Sequence, residues 1–200
     1  MFNTIFTTAI RTHARKALTA CLLAASAFGA PAMASTISFS PDVASVTVGG
    51  SVAVDVRVFG IGSGIDLGAF DFNVLFNSGV LSLTGYTLGA ALGDVGAFEA
   101  LDAGLGHTAS GVFNLAEISL LSDLSPQQDA FTLATLYFTA VAAGNSALSL
   151  GDVVLGDAFG GALAADLGSA AVSAVPEPQG LLLFVSCLAL LFATRRMRKN

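Results

Sequence analysis

The sequence predicts an all-β domain, an antiparallel sandwich of about nine strands, carried between two short apolar terminal segments. Three observations lead there. Apolar and polar residues alternate with period two through most of residues 35–174, Gly, Pro and Asn clusters interrupt that alternation at regular intervals, and charge is partitioned sharply along the chain. Of the 200 residues, 1–34 carry Arg11, Arg15 and Lys16 and no acid, whereas 35–178 carry all 14 acids against Arg57 alone. Residues 179–200 return to positive charge with Arg195, Arg196, Arg198 and Lys199. So acidic a body repels phosphate backbones, which argues against nucleic acid as a partner. A hydrophobic content of 54% argues equally against a disordered chain.

The elements follow in chain order. Short β-rich pieces fall at 37–39 and 43–48. Val52, Val54, Val56 and Val58 then alternate with Ala53, Asp55, Arg57 and Phe59, the pattern of one half-buried strand. Phe70, Phe72, Val74 and Phe76 alternate with Asp71, Asn73 and Leu75, and further β-rich pieces cover 80–88 and 112–120. Leu136 and Phe138 alternate with Thr135, Tyr137 and Thr139, and the last pieces are 147–150 and 153–155. Turn signals separate them at Gly49-Gly50, 60–64, Asn77-Ser78-Gly79, Ser125-Pro126 and Gly144-Asn145. The Gly- and Ala-rich stretch 89–110 breaks the alternation and is ambiguous, with room for a short helix around 97–103. With no long helices between the strands, the pattern is that of a sandwich spanning 35–170, with 171–174 as a linker.

The N-terminal segment, 1–34, reads as a secretory signal peptide. Arg11-Thr12-His13-Ala14-Arg15-Lys16 precedes an apolar run over 17–30, and Pro31-Ala32-Met33-Ala34 follows. Ala32 and Ala34 are the two small residues that signal peptidase accepts, so cleavage is expected before Ser35, against the alternative of an uncleaved anchor. Cys21 and Cys187 both lie in terminal segments, so the exported domain must hold together through its core without disulfides.

The C-terminal segment, 175–200, has three parts. Val175-Pro176-Glu177-Pro178 is held extended by two prolines. The apolar run 180–193 reads as a single transmembrane helix of about 21 Å, short against a hydrocarbon core of roughly 30 Å. Arg195, Arg196, Arg198 and Lys199, in the basic tail 195–199, hold that end on the cytoplasmic side and leave the domain facing outward. This tripartite order resembles the PEP-CTERM sorting signal of Gram-negative bacteria, with Pro176, Glu177 and Pro178 at its motif. The resemblance implies processing by an exosortase, a membrane-embedded cysteine-protease-like transpeptidase, and passage to the cell surface or exopolysaccharide matrix. The alternative is a permanent single-span anchor behind a proline linker.

A second resemblance covers most of 36–170. Val48-Gly49-Gly50-Ser51-Val52 leading into an alternating strand is similar to the start of a cohesin domain. Ala69-Phe70-Asp71-Phe72-Asn73-Val74-Leu75-Phe76 with Val80-Leu81 resembles the strand that follows. Ala134-Thr135-Leu136-Tyr137-Phe138-Thr139-Ala140 with Gly144-Asn145-Ser146-Ala147-Leu148 resembles a late strand and hairpin. Phe76-Asn77-Ser78 departs from the family's Tyr-Asp-Pro. The resemblance implies a jelly-roll sandwich of the kind shared with carbohydrate-binding modules, and supports the fold better than dockerin binding.

Chemistry has few candidates. His107 is the only histidine left after signal cleavage, no serine sits in a G-x-S-x-G turn, and His107 reads as an exposed loop residue. Zinc ligands are lacking, and glycosidase chemistry needs two carboxylates at a fixed separation that sequence alone does not locate. Asp152 and Asp157, and the Asp94–Asp102 stretch, fall on expected loops without EF-hand spacing, so the acids read as a solvated surface. No cofactor is implied, and calcium stays open as a ligand, with no residues placed for it. For sugar stacking the domain offers no Trp and only Tyr86 and Tyr137. Its phenylalanines read mostly as core, and Tyr137, opposite in parity to Leu136 and Phe138, is the one candidate ligand platform.

The expected protein is therefore a non-enzymatic surface or matrix protein with a domain for protein–protein interaction or adhesion. A carbohydrate-binding module is the alternative. Its partners during export are signal peptidase, exosortase and the membrane through 180–193.

Overall fold

The computed structural model describes residues 35–61 and 66–177. The signal-peptide residues, including Ala32 and Ala34, lie outside the described residues, as do Pro178, the apolar run 180–193 and Arg195, Arg196, Arg198 and Lys199. Among the described residues there are thirteen strands: β1 (Ser35–Ser40), β2 (Val43–Thr47), β3 (Ser51–Phe59), β4 (Leu67–Leu75), β5 (Leu81–Leu88), β6 (Ala100–Asp102) and β7 (Gly106–Ala109), then β8 (Val112–Ser119), β9 (Ala130–Ala140), β10 (Gly144–Asp157), β11 (Ala162–Leu163), β12 (Ala165–Leu167) and β13 (Ala170–Val175). The smaller sheet runs β12-β1-β3-β9-β5. The larger runs β2-β13-β10-β4-β8-β6, with β11 attached to β10 and β7 to β8.

Alternation explains the layers. Val54, Val56 and Val58 of β3 and Leu133, Leu136 and Phe138 of β9 point inward, where they meet Phe70, Phe72 and Val74 of β4 and Phe113 and Leu115 of β8. Phe76 and Phe138 meet edge-on at 5.3 Å between ring centroids. Each such aliphatic or aromatic side chain contributes about 1.5–3 kcal/mol on burial. Pro41 has no amide hydrogen to continue a ladder, and there the chain passes from β1 in the smaller sheet to β2 in the larger. At the far end of β4 the Gln127 side chain acts as a substitute strand edge. Its Oε1 accepts from Leu67 N at 2.8 Å, and its Nε2 donates to Leu67 O at 2.8 Å and Ala91 O at 3.0 Å.

Four expectations need correction. Residues 171–174 are not a linker. They belong to β13, which pairs antiparallel with β10 and parallel with β2 and buries Ala170, Val172 and Ala174. No helix covers 97–103. The 3-10 turns Ala90–Leu92 and Val95–Ala97 come earlier, the second capped by Asp94 Oδ1 accepting from Gly96 N at 2.7 Å, and β6 follows. The sandwich is not wholly antiparallel, because β1 and β2 lie parallel to β12 and β13. The strand count exceeds nine because β6, β7, β11 and β12 are two to four residues long.

Candidate functional site

Two broad surfaces are available to a partner, the outer faces of the two sheets. On the smaller sheet the outward residues are mostly hydroxyl-bearing: Thr36 and Ser38 on β1, Ser51 on β3, Thr135, Tyr137 and Thr139 on β9, and Ser82 and Thr84 on β5. On the larger sheet the register lines up four rows across β10, β4 and β8. They are Ser149–Leu75–Val112, Gly151–Asn73–Asn114, Val154–Asp71–Ala116 and Gly156–Ala69–Ile118, the last extended by Leu101 of β6. Leu75, Val154, Ile118 and Leu101 are all exposed large apolar side chains, a combination the other face lacks.

Between these apolar corners lies an ordered polar array. Asn114, itself buried, donates from Nδ2 to Asp71 Oδ1 at 2.7 Å and Asn73 Oδ1 at 3.2 Å, and its Oδ1 accepts from Leu105 N at 2.9 Å. Asn73 Nδ2 donates onward to Asp152 Oδ2 at 2.8 Å. Asp152 reaches that position because β10 bulges between Gly151 and Val154, with Asp152 in the left-handed region at φ 51°. The face thus joins apolar side chains to carboxylates whose remaining lone pairs can accept from a partner's donors. The cation Arg57 lies on β3 of the other sheet, over the Phe59 ring at 5.1 Å.

The expected site residues fall as follows. Tyr137 is 39% exposed among threonines, with its hydroxyl 3.4 Å from Thr87 Oγ1. The other outward aromatic of this sheet is Phe59 on β3, whose ring lies under Arg57. Pro176 and Glu177 are exposed and follow directly on β13, whose last carbonyl, Val175 O, accepts from Val48 N at 2.9 Å. His107 is exposed but is not in a loop. It sits on β7 with its ring edge-on to Phe113 at 4.9 Å. The acids Asp102, Asp152 and Asp157 are on strands and not on loops, and two of them close the turn that follows: Asp157, the last residue of β10, accepts at Oδ1 from Phe159 N at 2.8 Å and Gly161 N at 2.7 Å, and Asp102, the last of β6, accepts at Oδ1 from Gly104 N at 3.1 Å. Among the described residues no group of three or more His, Cys, Asp or Glu converges as a metal site, and no helix is long and apolar enough to cross a membrane.

Sequence reasoning missed two kinds of residue. Phe98 and Phe159 are 86% and 98% exposed rather than core, both held out on tight turns. Glu117 is not part of a solvated acidic surface. It is 0% exposed, and its place in the Phe113, Leu115, Glu117 alternation already signalled an inward position.

No family model matches the chain, and no curated protein matches it in sequence. Solved structures do match. A cohesin module from a Clostridium perfringens family 33 glycoside hydrolase aligns with TM-score 0.56 and 16% identity, over 72% of this chain and 97% of that one. The sixth cohesin of scaffoldin B from Acetivibrio cellulolyticus, solved with a dockerin, aligns with TM-score 0.56 and 20% identity, over 71% and 99%. A non-cellulosomal cohesin from the archaeon Archaeoglobus fulgidus aligns with TM-score 0.53 and 15% identity, over 70% and 92%. At these identities the likeness shows the fold: the described domain is a cohesin-like β-sandwich.

Proposed function

We propose that this chain is a non-enzymatic surface or exopolysaccharide-matrix protein whose cohesin-like domain docks a protein partner on the outer face of the larger sheet. The observation that carries the reading is the pairing of exposed Leu75, Val154, Ile118 and Leu101 with the Asp71–Asn73–Asn114–Asp152 array. Apolar corners supply area and a pre-ordered polar centre supplies direction, the anatomy of a docking patch. The dockerin complex of the Acetivibrio neighbour supports a protein as the class of partner. The acidic body favours a partner surface bearing cations and amide donors.

The delivery scheme belongs to the same proposal. Signal peptidase cuts after Ala34, residues 180–193 hold the precursor in the membrane, and an exosortase acts near Pro176-Glu177-Pro178 before release to the surface or matrix. Intact mass from cells with and without the processing enzyme tests this step, and the expected mature species runs from Ser35 to near Pro178. Retention of Arg195–Lys199 in competent cells contradicts it.

Docking is tested by placing a photo-crosslinking amino acid at Ile118 and, separately, at Tyr137 in producing cells. Protein adducts from Ile118 and none from Tyr137 are expected. Adducts confined to Tyr137, or glycan retention lost in Tyr137→Ala, favour the carbohydrate-binding reading instead.

A further inference from the structure

Glu117 lies on β8, directly beneath the proposed docking face. It is fully buried, and neither Oε1 nor Oε2 has a hydrogen-bond partner. A buried carboxylate in that state is costly, because nothing replaces the water it has lost. Its surroundings make the charged form worse. Asp102 of β6 is its direct cross-strand partner and shares its inward face. Phe70 is its partner on β4, and the 3-10 turn Ala90–Leu92 brings only apolar side chains. From the opposite sheet Tyr86 reaches across, but its hydroxyl donates to Asp102 Oδ2 at 2.6 Å. The loop before β6 adds Asp94 and Glu99, both exposed, and His107 of β7 lies against Phe113, farther back along β8. No Lys or Arg faces the pair among the described residues, where Arg57 lies on β3 over the Phe59 ring.

We propose that Glu117 and Asp102 form a proton-operated latch on β6: a proton on Glu117 keeps this edge strand closed on β8, and its loss to water opens that edge. Relief by opening is cheap at this place. β6 is three residues long, lies at the end of its sheet and pairs only with β8. Elements of that kind open far below the energy of global unfolding. A groove of about 470 Å³, lined by Tyr86, Gly89, Asp94 and Asp102 among others, runs along the same edge and brings water to the pair once β6 lifts. Burial first, and the charge of Asp102 second, push the Glu117 carboxyl up from 4.5 to about 7, so the latch works across neutral pH. A proton rather than a metal is the ligand, since no third His, Cys, Asp or Glu joins these two among the described residues. Opening also carries away Leu101, one corner of the docking face. That consequence rests on the docking reading, whereas the latch itself does not.

The test is hydrogen exchange of the purified protein at pH 5 and pH 8, corrected for intrinsic rates. At residues 100–103, where Ala103 N donates to Ala116 O at 2.9 Å, protection should fall roughly fifty-fold as pH rises, while β3 and β9 stay unchanged. Glu117→Gln should keep its pH 5 protection at pH 8. The latch is overturned by flat protection in the native protein or by the same fall in Glu117→Gln. Should that variant not fold, carbon NMR of the native Glu117 carboxyl decides: a midpoint near 7 supports the latch and one near 4.5 sinks it. Restoration of protection by calcium at pH 8 also overturns the proton reading. No partner enters these measurements, so they can fail while docking stands, and the reverse.

Discussion

On β9 the outward residues are Thr135, Tyr137 and Thr139, and on β8 they are Val112, Asn114, Ala116 and Ile118. Both strands bury Leu and Phe on the other side, but on β8 the outward Asn114 and Ala116 are buried as well. The outer faces differ in how their polar groups are spent. On the smaller sheet the hydroxyls make short local bonds, such as Thr135 Oγ1 to Asp55 Oδ1 at 2.6 Å and Thr84 Oγ1 to Tyr137 O at 3.0 Å, and the rest is left to water. On the larger sheet the amides and carboxylates are bonded to one another, and large apolar side chains stand around them. Groups already satisfied within the chain lose less when water is expelled, and the apolar rim gains when it is. One face is suited to solvent, and the other is the face on which the proposed function places a partner.

Phe72 is fully buried in the core that both faces share. Phe72→Ala should lower stability by about 3–5 kcal/mol in urea denaturation and damage both faces alike. A variant that lost partner binding while its stability held would show the faces to be independent of that core.

Second in size is the pH effect of Glu117. Its folded pKa of about 7 exceeds the ordinary 4.5, so between those values the folded state holds more protons than the unfolded one. Stability therefore falls as pH rises from about 4.5 to 7 and levels above it. Glu117→Gln should equal the native protein near pH 4 and exceed it by about 3 kcal/mol at pH 8. An equal gain at both pH values would assign the effect to packing.

The period-two core was legible from residues alone: Val52 to Val58 and Phe70 to Phe76 place β3 and β4 and the faces they present. β13 was not, because Ala170-Ala171-Val172-Ser173-Ala174-Val175 is small or apolar at nearly every position and its alternation has little amplitude. β6 is too short to carry a period. Glu117 was legible by parity, but its charge argued for the surface and burial won. The exposure of Phe159 depends on the Asp157 carboxylate closing a turn, which periodicity does not register. The site's polar array needs strand register, since Asp71 and Asn114 are 43 residues apart. Its apolar corners come from four strands.

Asn114→Ala is the next smaller perturbation. It strips partners from Asp71, Asn73 and Leu105 N at once, and a cost of about 1–3 kcal/mol is expected in denaturation. Binding should weaken beyond what that loss explains, because Asp71 and Asn73 are then free to turn. Retained affinity would assign docking to the apolar corners alone.

The smallest effect on stability should be the most discriminating. Ile118 and Thr139 are surface residues of opposite sheets, so Ile118→Asp and Thr139→Asp should each change stability by no more than about 0.5 kcal/mol. Only the first puts a charge into the rim that a partner must cover, next to Leu101 and a short distance along the sheet from Asp71. Crosslinks formed from Leu75 should vanish in Ile118→Asp and persist in Thr139→Asp. Equal loss in both would mean that net negative charge drives the effect, and equal persistence would move the docking surface off the larger sheet. The two faces would then differ in composition without differing in use.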